Sequence, residues 1–302
     1  MSQTIAAGSL PKYGTLPGFT ATPMIMPIER IFGLLCGPPG EGKTTFIQSC
    51  ATGFVFNLDK SSTSPFVKGT VWPGIDSTGQ PCDQNGKVFL TWDLMIQMKD
   101  QLIALAVADQ ERPSTIFVDT IDALIPLIMA HLIKVNNVTY WQEMDGRRMW
   151  AILYDMIVKW CNDLREAGYG VWLVCHVVNK KIPIGDDRFA IKPELTIGEG
   201  LWKRTGWAYE MIASIGKTTM TTQRTVPQKA IKRAGGESFQ PDDKVVTDEI
   251  TAWVFTVDST DYPEFTKKRV ALPAEINLDP ARNGWTIVKD VYDGVLAEPA
   301  TY

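Results

Sequence analysis

Apolar residues along this chain follow two rhythms. Short unbroken runs read as strands covered on both faces: Ile31 to Cys36, Gly53 to Asp59 with its acid at the end, Thr115 to Asp119, and Val171 to His176. Between them the apolar positions fall at three- and four-residue steps, the period of an amphipathic helix. The clearest case is roughly Trp141 to Ala167, where Met149, Trp150, Ile152, Leu153, Met156, Ile157, Trp160, Cys161 and Leu164 form one stripe and Gly168-Tyr169-Gly170 ends it. A helix is predicted over Asp93 to Ala108 with Thr91 as its cap, and another over Ala123 to Ile133. Strands separated by helices require crossovers, which predicts an α/β fold: a mainly parallel twisted sheet flanked by helices.

The remaining segments carry weaker patterns. Residues 1–27 are rich in Gly, Pro, Ser and Thr and read as an extended arm; Lys60 to Lys87 reads as a polar excursion. Ala208 to Ile215 and Ile250 to Val257 are candidate strands flanking a polar insertion, residues 216–248. The core is thus expected over 28–275, with 276–302 as a C-terminal tail.

One stretch brings in chemistry. Gly37-Pro38-Pro39-Gly40-Glu41-Gly42-Lys43-Thr44 fits the phosphate-loop pattern G-x-x-x-x-G-K-[ST] at every fixed position, between a strand and a helix opening at Thr45. Glycines let the backbone wrap an anion so that successive N–H groups point at phosphates. Lys43 is expected to reach the β- and γ-phosphates of ATP and the Thr44 hydroxyl to ligate Mg²⁺. A second acid is needed for the metal shell, at the end of a neighbouring strand. Asp119 meets that description, because ligands of open α/β sheets bind outside strand C-termini.

Composition narrows the classes. With 302 residues and 45% hydrophobic, the chain can bury a full core as one large domain. A net charge of -4 does not mark a globally basic nucleic-acid binder, so any such surface is local. Two histidines make a His-based metal site improbable, and five cysteines without paired metal spacing read as reduced thiols of a cytoplasmic protein. There is no run of about 18 apolar residues for a membrane span. Met1 to Leu16 has neither a basic start nor a long apolar stretch, so no secretory signal is expected.

The order of these parts resembles the phage-encoded RecA-like P-loop ATPases of single-strand annealing and recombination, a group among the phage AAA-type ATPases. The residues that carry the resemblance are Gly37 to Thr44, the strand ending at Asp59, Thr115 to Asp122, Val171 to His176 and the late Thr266-Lys267-Lys268-Arg269, over roughly residues 30–275. The Gly-Pro-Pro-Gly-x-Gly-Lys-Thr spelling is common among AAA+ ATPases, but those place a catalytic Glu directly after the metal-shell Asp, and here that position is Thr120. In the RecA-like branch the water-orienting acid ends the strand after the phosphate-loop helix, which implies Asp59, with Asp122 as second candidate. The usual residue there is Glu, one methylene longer, so either hydrolysis is slow or Asp59 is only a strand-end turn residue. The resemblance further implies that His176 senses the γ-phosphate and relays its state to the following loop. It also implies that Lys267 and Arg269 reach a neighbouring subunit's nucleotide in a homo-oligomer, ring or filament.

Single-stranded DNA is the expected partner. Lys180, Lys181, Arg188 and Lys192 follow the His176 strand, diluted by Asp186, Asp187 and Glu194. Lys217, Arg224, Lys229, Lys232 and Arg233 form a second basic series with no acid between them. In the arm, Gly18-Phe19-Thr20-Ala21 resembles the Phe-x-x-Ala segment by which recombinases dock on a neighbour, with the Ala one residue early. Two other readings stay open: an ATPase that acts on protein in packaging or assembly, and a small-molecule kinase.

Overall fold

The structure is a computed structural model that describes residues 26–60, 67–185, 188–205, 208–226, 231–232, 238–239, 244–257, 267–268, 272–278 and 284–297. In chain order the elements run β1 (Phe32–Cys36), α1 (Lys43–Gln48), β2 (Gly53–Asn57), β3 (Thr70–Trp72), β4 (Gly74–Ile75), β5 (Pro81–Asp83), β6 (Gly86–Lys87), α2 (Trp92–Val107), β7 (Thr115–Asp119), α3 (Ile121–Val135), α4 (Gly146–Glu166) and β8 (Gly170–Val174). They continue with β9 (Val177–Gly185), β10 (Arg188–Leu195), α5 (Gly198–Thr205), β11 (Met211–Val226), β12 (Ile231–Lys232), β13 (Ser238–Phe239), β14 (Lys244–Thr256), β15 (Lys267–Lys268), β16 (Glu275–Leu278) and α6 (Gly284–Ala297).

Nine strands form the central sheet in the order β16-β14-β11-β1-β8-β7-β2-β3, with β15 beside β11. The run from β11 to β3 is parallel throughout, and β14 and β16 extend it with antiparallel pairings. Every residue of β1, β2, β7 and β8 is buried, which is why these strands read as unbroken apolar runs.

Alternate residues of the strands feed two cores. Leu34, Phe56, Val118 and Leu173 pack with Met95 and Leu102 of α2, Leu124 and Ile128 of α3, and Leu153, Ile157 and Trp160 of α4. Leu35, Val55, Phe117, Trp172 and Val174 face the other way, onto Phe46 and Ile47 of α1 and Trp285, Val288 and Tyr292 of α6. Trp285 makes ring contacts with Phe46, Phe117 and Trp172, and truncating it would cost about 3–5 kcal/mol. The stretch expected as a C-terminal tail is therefore part of the structure, since β16 completes the sheet and α6 covers one of its faces.

Other expectations shift at their edges for local reasons. The Thr91 hydroxyl caps α2 by accepting from the Leu94 N–H at 3.2 Å. The helix expected from Trp141 is instead a 3-10 turn, Trp141–Glu143, followed by α4, because the Asp145 carboxylate accepts from the N–H groups of Arg147 and Arg148 and starts a new helix there. Lys60 to Lys87 contributes the edge strand β3 and a small antiparallel sheet, β4-β5-β6. Within the expected insertion, 216–226 and 244–248 continue the flanking strands, with β11 and β14 paired from Ser214 and Thr256 out to Val226 and Lys244. Cys36, Cys50, Cys161 and Cys175 are buried and Cys82 is half-buried, and none of them is in a disulfide. Among the described residues, no helix is long and apolar enough to cross a membrane.

Candidate functional site

The C-terminal ends of β1, β8, β7 and β2 lie side by side and set the site. The phosphate loop joins β1 to α1, and two of its glycines are required by their surroundings. Gly37 has φ +155° and a Cβ there would lie 2.3 Å from the Ile215 carbonyl oxygen. Gly42 has φ +91° and a Cβ would lie 2.7 Å from the Trp253 Nε1. The loop is thus fitted against β11 and β14, and the Glu41 carboxylate, at 2.6 Å, accepts from the Lys217 backbone N–H of β11.

Lys43 is only 4% exposed. Its ammonium donates to the carbonyl oxygens of Gly37 and Pro38, each at 2.7 Å. Burial holds its pKa below the usual lysine value, with the charge of Asp119 working against that shift. Pro38, Pro39 and Gly40 are exposed, Glu41, Thr44 and Thr45 are half-buried, and the loop opens outward above the lysine. A buried ammonium held by two neutral carbonyls gains from an anion arriving at that opening.

Asp119 ends β7 and is 1% exposed. Its Oδ2 accepts from the Thr44 hydroxyl at 2.8 Å, while its Oδ1 is buried without a hydrogen-bond partner. Burial pushes its carboxyl up to about 7, the charge of Asp59 adds to that rise, and the Thr44 hydrogen bond and Lys43 oppose it. The Thr44 hydroxyl and a carboxylate whose Oδ1 is unsatisfied are hard-oxygen donors of the kind Mg²⁺ takes, so the residues present fit that ion. The Asp119–Thr120 peptide bond is cis. Thr120 is buried and stands at the start of α3.

Asp59 follows β2 as an exposed residue, and its backbone N–H donates to the Asp119 carbonyl at 3.2 Å, beside that of Leu58 at 2.7 Å. His176 follows β8, between the phosphate-loop strand and the Asp119 strand. Its Nδ1 lies 3.1 Å from the Asp122 Oδ2, and its backbone N–H donates to that oxygen and to the Thr196 hydroxyl. The next residue, Val177, donates its N–H to the Gly37 carbonyl at 3.1 Å, the same oxygen that holds Lys43.

The structure therefore brings Lys43, Thr44, Asp59, Asp119 and His176 to one edge of the sheet. The basic residues are elsewhere. Lys180 and Lys181 are exposed on β9, Lys180 pairs with Glu194 at 2.9 Å, and Lys192 of β10 stands opposite Lys180 in the strand register. Arg188 opens β10, Arg224 lies on β11 and Lys232 on β12. Lys267 lies on β15 opposite Ile212. Arg269, Lys229, Arg233 and Phe19 lie outside the described residues.

A family model described as AAA domain matches residues 29–225, from just before β1 to the end of β11. The chain belongs to the AAA domain family. No curated protein matches it. The match covers the phosphate loop, Asp119 and His176, and AAA membership makes the chain a P-loop ATPase, a class that binds ATP with Mg²⁺. The sheet and helices described above are the architecture of such a domain.

Several contacts around this AAA site were not legible in the chain. Asp122 as the partner of His176, Glu41 as acceptor from β11, and Trp253 against Gly42 all join residues distant in sequence. Glu41 was expected only as part of the phosphate loop and Asp122 only as a second candidate for the water-orienting acid, neither with the partner found.

Proposed function

We propose that this AAA domain is a RecA-like ATPase that binds single-stranded DNA as a homo-oligomer, ring or filament, serving recombination or replication. Its phage origin, host-cytoplasmic setting and annealing role rest on the resemblance of its motifs. The observation that carries the coupling to DNA is the Gly37 carbonyl, which accepts from both Lys43 and Val177, the first residue of the lysine-bearing hairpin β9–β10. A lysine that turns from that carbonyl to a phosphate alters the environment of the hairpin root.

In this reading Lys43 binds the β- and γ-phosphates of ATP, moving from the carbonyls of Gly37 and Pro38 to better acceptors. Thr44 and Asp119 hold Mg²⁺, which neutralises phosphate charge when bound. Asp59, exposed at the end of β2, orients the attacking water for in-line displacement at the γ-phosphate, and His176 reads the presence of that group. Arg269 and Lys267 of a neighbouring copy stabilise the charge on the transferring phosphoryl group. A second contact, Glu41 to Lys217, joins the phosphate loop to the β11–β14 hairpin that carries Arg224.

The test is binding of a labelled oligothymidylate at rising salt, with a non-hydrolysable ATP analogue present. Contacts to about four phosphates give log affinity falling with log salt at a slope near -3. Absence of salt-dependent binding sinks the DNA reading and leaves an ATPase that acts on protein.

A further inference from the structure

The hairpin β9–β10 leaves the core and returns to it at one point, and a polar cluster closes that point. Val177 and Leu195 face each other in register at its root, and both are buried, as is Ile197 beyond it. Val178, Lys180 and Lys181 are already in solvent. Thr196, the first residue after the hairpin, donates both its N–H, at 3.0 Å, and its hydroxyl, at 3.1 Å, to the His176 carbonyl; the same hydroxyl accepts from the His176 N–H. The entry and exit of the hairpin are therefore joined through His176.

Asp122 supplies the other half of the cluster, from the first turn of α3, three residues past Asp119. Its Oδ2 meets both the backbone N–H and the ring Nδ1 of His176, at 3.3 and 3.1 Å, while its Oδ1 is buried without a hydrogen-bond partner. A carboxylate only accepts, so Nδ1 is the donor in this contact. With Nδ1 committed and the backbone held from two sides, the ring cannot turn without breaking a hydrogen bond. Nε2 is then the one ring atom left to meet a substrate group. Asp122 is also close enough for its charge to bear on Lys43.

We propose that Asp122 is a positioning residue: it fixes the His176 ring so that Nε2 faces the nucleotide, and with Thr196 it ties that ring to the root of the basic hairpin. A substrate group that engages Nε2 pulls on a side chain whose backbone is the closure of β9–β10. The proposal rests on the reading of His176 as the residue that senses the γ-phosphate, and the two can fail separately.

The experiment is a double-mutant cycle on steady-state ATP hydrolysis by the full chain, using His176→Ala, Asp122→Ala and the pair, with Asp122→Asn as a variant of the same size. Losing the partner that orients a working histidine costs about tenfold or more in known sites. Asp122→Ala is expected to lower kcat about tenfold with KM for ATP within about twofold, His176→Ala to do the same, and the double variant to lose no more than either. Asp122→Asn, whose amide oxygen still accepts from the ring, is expected to keep more activity than Asp122→Ala. If the two losses multiply, or if both Asp122 variants turn over like the wild type while His176→Ala is slow, the positioning role is overturned and the sensor survives. If His176→Ala turns over normally, both fall. Should Asp122→Ala fail to fold, the cycle run with Asp122→Asn decides by the same criterion.

Discussion

In the phosphate crevice the charged groups are buried: Lys43 is 4% exposed and Asp119 1%. At the hairpin β9–β10 the root residues Val177 and Leu195 are buried, and Lys180 and Lys181 stand in solvent. The difference lies in what an isolated charge costs. Water pays nothing to surround Lys181, whereas the crevice must hold an ammonium and a carboxylate with hydrogen bonds that leave Asp119 Oδ1 unsatisfied. The crevice is thus poised for a ligand that brings the missing charge and coordination. A solvated hairpin is poised for nothing until a polyanion lies along it.

The largest expected effect breaks the crevice at its cation. Lys43→Ala removes the buried ammonium proposed to turn to the phosphates and is expected to lower hydrolysis about 10³-fold, measured as phosphate release. If the rate survives, the crevice is not where ATP is cleaved.

Asp119→Asn separates function from stability. Hydrolysis should fall about 10²-fold because the carboxylate proposed to hold the metal is gone. The folded protein holds the Asp119 proton more tightly than the unfolded chain, so this group favours folding below its ordinary value of 3.8 and loses that contribution as pH rises to about 7. Above that pH the ionised carboxylate is a standing cost. The nucleotide-free variant should therefore be more stable to unfolding than the wild type at pH 8, by up to about 4 kcal/mol, and the gap should narrow as pH falls towards 4. A variant less stable at pH 8 contradicts this account.

Gly42→Ala tests the seam between the crevice and the β11–β14 hairpin. A side chain at φ +91° that also meets Trp253 should cost about 1–3 kcal/mol and raise KM for ATP about tenfold or more. The smallest effect belongs to the hairpin. Replacing Lys180 and Lys181 together by Ala is expected to reduce the salt slope of single-strand binding by about 1.4, two contacts at about 0.7 each. An unchanged slope moves the DNA contact off β9.

How legible each part was follows from the same contrast. β1 and β7 are buried on both faces, so their apolar runs, with the phosphate loop and Asp119 at their ends, could be read directly. The outer half of β11, Lys217 to Val226, is a Thr-rich stretch with no apolar alternation, and it reads as an insertion although it pairs with β14 along its length. Asp145 ends one helical pattern and caps the next, a local competition that an unbroken hydrophobic stripe conceals. The pairing of Asp122 with His176 has no signal in either segment, because it depends on β8 lying next to β7. Phosphate-loop chemistry is local in sequence; the wiring that leads out of it is made by the sheet order.

ATP hydrolysis by the purified protein with and without single-stranded DNA, beside Lys43→Ala, tests the central claim most directly. The account predicts hydrolysis that rises on adding DNA and is lost in the variant. Hydrolysis that depends on Lys43 but is indifferent to DNA would contradict it: the crevice would stand as an ATPase site, and the hairpins would have to answer to a protein partner.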